Sequence, residues 1–137
     1  MQIQPYLFFE GRCEEAIEFY RKTLGATVEA MIRYGEHPGA EAQGMVPPGS
    51  QAKIMHSSFR IGEATVMASD GRCSGKPSFQ GVSLSLTVAD RGEAERVFGL
   101  LAEGGQVQAP LMKTFFAPAF GMVADRFGVP WMVVAGA

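Results

Sequence analysis

Few side chains in this sequence are equipped for chemistry, and their spacing limits what they can do together. There are two histidines, His37 and His56. His56 opens the run His56-Ser57-Ser58, where an imidazole can act as a base or hydrogen-bond a ligand near neutral pH. A strand histidine satisfied by its neighbours or by solvent is the favoured alternative. His37 follows Glu36 in a Gly- and Pro-rich stretch. It could close over a ligand or reach a metal, with a solvated loop histidine favoured. Ser83 has no base near it in the chain, so a partnership with His56 would have to be made by the fold. Cys13 and Cys73 give neither a disulfide framework nor a C-x-x-C metal signature. Cys13 falls at a helix start, where a thiolate is stabilised, but it also lies on an apolar stripe, which favours a packed thiol. Glu14, Glu15 and Glu18 read as a solvated helix face rather than an acid–base pair. Phe115 and Phe116 could form an aromatic wall against a planar ligand, or equally be buried in the core or at a dimer contact.

The elements that must position these residues are legible from periodicity. Cys13, Ala16, Ile17, Tyr20 and Leu24 recur at helical spacing, with Glu14 and Glu15 in the first turn, Arg21 and Lys22 in the last, and Gly25 as a left-handed stop. A second helix is expected from about Arg91 to Glu103, with Asp90 and Glu93 at capping-box spacing and Gly104-Gly105 at its end. A strand precedes each helix: Ile3–Phe9 before the first, and Val82–Val88, strictly alternating, before the second. Three extended segments follow each helix, near Thr27–Arg33, Lys53–Ile61 and Ala64–Ser69, then near Gln106–Thr114, Phe120–Ala124 and Trp131–Ala135. Glu15-Ala16 overlays Glu93-Ala94, and Arg60-Ile61-Gly62 overlays Arg126-Phe127-Gly128. A strand–helix–three-strand (βαβββ) unit thus occurs twice, about 1–70 and 82–137, with a Gly/Ser/Pro connector over 71–81. The fold class is α+β, with mixed sheets. The segment Tyr34–Ala52 is long for a compact domain, which suggests a lid or binding loop.

Composition narrows the function classes. The 137 residues carry 12 Lys and Arg against 14 Asp and Glu, a net charge of −2. The basic residues are scattered and form no stripe, so a nucleic-acid partner is not expected. No apolar run is long enough to span a bilayer and no signal peptide is visible, so a cytoplasmic, membrane-free protein with reduced thiols is expected.

The twice-repeated unit resembles the vicinal-oxygen-chelate superfamily, which includes glyoxalase I, bleomycin-resistance proteins and extradiol dioxygenases. The opening PYLFFEGRCEEAIEFYRKTLGA (5–26) is similar to that superfamily's first strand and helix. The closing FGMVADRFGVPWMVV (120–134), together with MHSSFRIGEATVMASDG (55–71) and KTFFAPAFG (113–121), resembles its PhnB-like branch. The name 3-demethylubiquinone-9 3-methyltransferase is attached to that branch. The sequence offers that chemistry no glycine-rich strand-to-helix turn: the first helix is entered through Glu10-Gly11-Arg12 and the second through Ala89-Asp90-Arg91.

The resemblance implies a single domain whose repeats curl into a sheet around a central groove, and a homodimer. In metal-using members four side chains, usually His, Gln or Glu, hold a divalent ion. The matching positions here are Pro5, Val66, Ser83 and Met132, which are poor donors for such an ion. No metal is therefore expected at the usual place and no cofactor is expected, although a divalent metal bound elsewhere stays open. Alternation then assigns a groove lining of Leu7, Phe9, His56, Ser83, Ser85, Phe115, Phe116 and Met132, apolar with a few hydroxyls, as in a small-molecule pocket. Trp131 is expected to face away from Met132, under a helix. The function expected is metal-independent binding of a small organic molecule. The alternatives are a superfamily enzyme with an unusual metal site or with His56 as its acid–base group, and an interaction protein with a vestigial groove.

Overall fold

A computed structural model of the chain describes residues 1–36, 39 and 44–136. His37 and most of the central part of the 34–52 segment lie outside the described residues. The chain divides into two compact units, Met1–Pro77 and Ser78–Ala137, and the boundary falls within the connector expected at 71–81.

The first unit runs β1 (Tyr6–Phe8), α1 (Cys13–Leu24), β2 (Thr27–Arg33), β3 (Ile54–Ile61) and β4 (Ala64–Ser69), with a single 3-10 turn at Tyr34–Glu36. Its sheet has the order β1-β4-β3-β2, with β1 parallel to β4 and the other pairs antiparallel. Helix α1 ends where expected, because Gly25 takes the left-handed conformation and its amide donates back to Tyr20. Its stripe of Cys13, Ala16, Ile17 and Tyr20 is fully covered. Tyr20 stacks on Phe59 of β3 with ring centroids 6.0 Å apart and leans on Phe9 at 6.3 Å. Burying side chains of this size contributes about 2–3 kcal/mol each, so this aromatic cluster fixes one face of the sheet against α1.

The second unit repeats the order: β5 (Leu84–Val88), α2 (Arg91–Ala102), β6 (Gln106–Met112), β7 (Phe120–Ala124) and β8 (Pro130–Ala135). The sheet order β5-β8-β7-β6 is the same pattern, with β5 parallel to β8. The Asp90 side chain accepts from the Glu93 amide, as the capping-box spacing implies. The reciprocal half of the box is not made, because Glu93 pairs instead with Arg96 at 2.5 Å. Helix α2 packs so closely on β7 that a Cβ at Gly121 would sit 2.6 Å from the Phe98 ring and 3.0 Å from Leu111 Cα.

The elements expected from sequence are all present. The strands expected at Ile3–Phe9, Val82–Val88 and Gln106–Thr114 are shorter, at Tyr6–Phe8, Leu84–Val88 and Gln106–Met112. Polar and turn-forming neighbours blunt those ends.

Candidate functional site

In the first unit the sheet has one face against α1 and one turned away from it. Leu7 and Phe9 were expected on the outward side, yet both are buried, and Phe9 meets Tyr20 of α1. Tyr6 and Phe8 take the outward face instead. The reason is physical: Tyr-Leu-Phe-Phe is apolar at every position, so alternation alone cannot say which set faces the helix. Only the need of α1 for a flat apolar partner decides it. The same correction applies to Val66, which is 5% exposed on the helix side. Pro5 precedes β1, is exposed, and its carbonyl accepts from the Met67 amide at 3.0 Å. In the first unit, then, Val66 points the wrong way for an outward-facing metal ligand.

His56 does lie on the outward face, on β3 next to the buried Ser57 and opposite Ile32 of the edge strand β2. Its Nδ1 is 2.9 Å from the Tyr6 hydroxyl, a contact made across the intervening β4. The Tyr6 ring lies 5.6 Å from the imidazole and 5.0 Å from the ring of Phe8. Ser58 and Met67, opposed in the ladder, complete this face, with Met67 opposite Tyr6. Ile32, paired with His56, is 38% exposed, and Phe8 is 51% exposed. The result is a half-buried imidazole–phenol pair rimmed by exposed apolar side chains. By contrast Ser57 is structural: it is fully buried, its hydroxyl donates to the Ala68 carbonyl at 2.7 Å, and it lies 3.8 Å from the Cys13 thiol.

Beneath this face the entry to α1 is held by Asp70, which is 1% exposed. Its Oδ1 accepts from the Gly11 and Cys13 amides at 2.8 Å each, and its Oδ2 from the Ile54 amide at 2.7 Å. One carboxylate thereby ties the start of α1 to the start of β3 and the end of β4. Cys13 sits against it, and burial, with Asp70 adding to the effect, pushes the thiol pKa up to about 12. Cys13 is a packed thiol, not a nucleophile. Burial also raises Cys73 and Tyr34. These two residues and Met55 pack around Val46, and the Tyr34 hydroxyl donates to the Gly71 carbonyl. On the exposed side of α1, Glu14 is held below its usual range by hydrogen bonds from Arg33, which also donates to the Ala52 carbonyl.

In the second unit Ser85 and Met132 are register partners on the face turned away from α2, with Thr87 opposite Val134. Met122 and Phe120 continue that face on β7. Trp131 faces the helix, as expected, and its Nε1 donates to Asp125 Oδ2 at 2.9 Å. Asp125, 3% exposed, also accepts from the amides of Phe127 and Val129. Ser83 is exposed and precedes β5 by one residue. Phe115 and Phe116 stand on the connection between β6 and β7 rather than on a strand. This outward face carries hydroxyls, thioethers, aliphatic groups and the Phe120 ring, but no titratable side chain among the strand residues named.

Four residues that shape these faces and turns carried no reading from sequence: Tyr6, Phe8, Asp70 and Asp125. The only signal for the acids was that Asp70-Gly71 and Asp125-Arg126-Phe127-Gly128 each place an Asp just ahead of a glycine turn. Nothing local marked Tyr6.

Among the described residues, no three His, Cys, Asp or Glu side chains gather closely enough to hold a metal ion. The donors at Pro5, Val66 and Met132 do not suit a hard divalent cation. The turns into the helices do not fit an S-adenosylmethionine cradle either. In the first, the Gly11 and Cys13 amides are already taken by Asp70, and in the second Asp90 caps its own helix. A cofactor pyrophosphate or carboxylate needs such amides free.

Two sheets of this topology, each covered by one helix, define the glyoxalase-like class of folds. A glyoxalase-related enzyme from Fulvimarina pelagi superposes with a TM-score of 0.65 over 99% of this chain and 88% of that one, at 16% identity, which speaks for the fold alone. The family described as 3-demethylubiquinone-9 3-methyltransferase matches residues 1–134. Protein PA1353 from Pseudomonas aeruginosa is 46% identical, with a TM-score of 0.85 and coverage of 98% of this chain and 97% of that one. Protein YjdN from Escherichia coli strain K12 is 39% identical over 97% of this chain and 94% of its own length. A PhnB protein from Bacillus cereus, a putative 3-demethylubiquinone-9 3-methyltransferase by name, is 27% identical with a TM-score of 0.82 over 99% of this chain and 100% of that one. The chain belongs to this family, in which the PhnB protein is also named, and its fold is glyoxalase-like.

Proposed function

We propose that the protein binds a small organic molecule on the outward face of the first unit's sheet, without a metal at the superfamily's usual place. The observation that carries this reading is the Tyr6–His56 pair, a 2.9 Å hydrogen bond held between strands and rimmed by Phe8 and Ile32. A few oriented polar atoms set in an apolar surround are what a ligand site needs for orientation and affinity. The hydrogen bond to Nδ1 fixes the imidazole ring and leaves Nε2 for a ligand. Ser58 adds a hydroxyl on the same face. We further propose a cytoplasmic homodimer, in keeping with the family resemblance and with the fact that no described helix is long and apolar enough to cross a membrane.

The same pair supports a second reading, in which His56 and Tyr6 move a proton on the bound molecule. Methyl transfer gains no support from the helix-entry turns described above.

A thermal-shift screen of small metabolites and aromatic antibiotics tests the binding reading. Hits should raise the melting temperature of the wild-type protein, and His56→Ala should abolish those shifts, while Tyr6→Phe should reduce them. Hits whose shifts survive both substitutions would sink it. Turnover of a hit that is lost in His56→Ala would favour the proton-transfer reading. Metal analysis of the purified protein, free of tags, completes the test: a stoichiometric, tightly held Zn, Fe, Mn or Ni would replace both readings with a metal-dependent one.

A further inference from the structure

The connection between β6 and β7 holds aromatic side chains in water: Phe115 is 99% exposed and Phe116 57% exposed. They are braced rather than loose. Phe116 stands edge-on to Phe120 of β7 with centroids 5.2 Å apart, and Phe115 stands edge-on to Phe116 at the same spacing. The turn beneath them is closed by Thr114, whose amide donates to the Ala117 carbonyl at 3.0 Å and whose hydroxyl accepts from the Ala117 amide at 3.2 Å. The wall they make borders a depression of about 520 Å³ that Arg91, Lys113 and Pro118 also line.

The charge at this depression is cationic and available. Lys113 makes no ion pair or side-chain hydrogen bond among the described residues. Arg91 spends only its Nε on Glu95, at 3.1 Å, so its terminal amino groups stay open. An aromatic wall beside an uncompensated ammonium suits one chemical class above others. A neutral arene would leave Lys113 unused, and a bare inorganic anion would leave the rings bare. A second copy of the chain seated here would desolvate Lys113 without a carboxylate on this patch to meet it.

The geometry points to a binding site for a planar aromatic carboxylate, its ring against Phe115 and Phe116 and its carboxylate on Lys113 with help from Arg91. The site stands within the second unit and does not depend on the Tyr6–His56 reading. Its position at the loop rather than on a strand makes it open to solvent, so affinity should fall as salt screens the ion pair.

Titration of the full-length protein with 2-naphthoate, followed by calorimetry and by the shifts of the loop amides, tests it. One naphthoate per chain should bind, with 2-naphthamide about tenfold weaker, since a charge-assisted contact is worth about that factor. Lys113→Ala and Lys113→Gln should each weaken naphthoate about tenfold, and Phe115→Ala with Phe116→Ala should do the same by removing the stacking surface. Lys22→Ala, an exposed cation on α1, should leave binding unchanged. All these side chains are exposed, so melting temperature should not move and loss of fold cannot mimic the result. No binding at millimolar naphthoate, equal binding by Lys113→Gln, or equal binding of naphthamide would each overturn the assignment. So would a Phe115→Ser variant that dissociates a dimer while naphthoate still binds, because that marks the loop as a subunit contact.

Discussion

Asp70 does more to shape the first unit than any residue that could react. Its carboxylate answers three backbone amides, two buried and one part-buried, that would otherwise lose their partner. Asp70→Ala should therefore cost about 3 kcal/mol or more, since each orphaned amide is worth about 1–3 kcal/mol, and Asp70→Asn should cost less because one acceptor oxygen remains. Urea unfolding measures both. Cys13 makes a pH prediction with a definite sign. Burial, with Asp70 adding to it, pushes its thiol up to about 12, above the ordinary value of 9.0. Below pH 9 both states hold the proton and stability is unaffected; between about 9 and 12 the unfolded thiol ionises while the folded one does not, so stability falls as pH rises. Cys13→Ala should flatten that alkaline slope in denaturant titrations read at successive pH values, while costing about 1 kcal/mol near neutrality for the lost packing. A thiol reagent should modify the half-buried Cys73 well before Cys13. That Cys13 is packed was visible in the apolar stripe on which it falls, whereas the burial of Ser57 was not visible beside His56 and Ser58. The partner of His56 was not, because Tyr6 lies fifty positions away in sequence and is joined to it only by strand pairing.

At the scale of elements, the helices were legible to within a residue, since a period near 3.6, a glycine stop after α1 and an Asp90 cap ahead of α2 leave little freedom. The strands were legible in number and order but not in facing. β5 alternates Leu and Val with Ser and Thr, and its outward set, Ser85 and Thr87, was read correctly. β1 has no polar residue to mark a side, and Leu7 and Phe9 were assigned to the wrong one. Close packing of α2 on β7 gives a test at this scale. The Cβ of Gly121→Ala would fall 2.6 Å from the Phe98 ring, and backbone at Leu111 blocks retreat on the other side. The substitution should cost about 1–3 kcal/mol in thermal unfolding, as overpacking does. Phe115→Ser, on the exposed loop of the same unit, should change stability by less than about 0.5 kcal/mol in the same assay.

For the whole molecule, the twofold recurrence of strand order, β1-β4-β3-β2 and β5-β8-β7-β6, shows that one unit design serves twice with different surfaces. The first copy turns a titratable pair outward, while the second turns out hydroxyls, thioethers and the Phe120 ring, so the copies present different chemistry. Sedimentation equilibrium should return twice the 14.7 kDa chain mass if the proposed homodimer forms, and a single species at 14.7 kDa would refute it.

The amino-acid sequence by itself determined the repeat, the helix limits, the count of strands and the family, because these rest on local periodicity, capping chemistry and contiguous motifs. It also determined that Pro5, Val66, Ser83 and Met132 are poor donors for a hard cation, since donor chemistry belongs to the residue type. Tertiary structure alone decided which face of β1 is covered, that Asp70 rather than a capping side chain organises the start of α1, and that Tyr6 meets His56. Each of those depends on a contact between residues far apart in the chain, where the outcome is set by which apolar surface the helix can cover and which buried amides must find an acceptor.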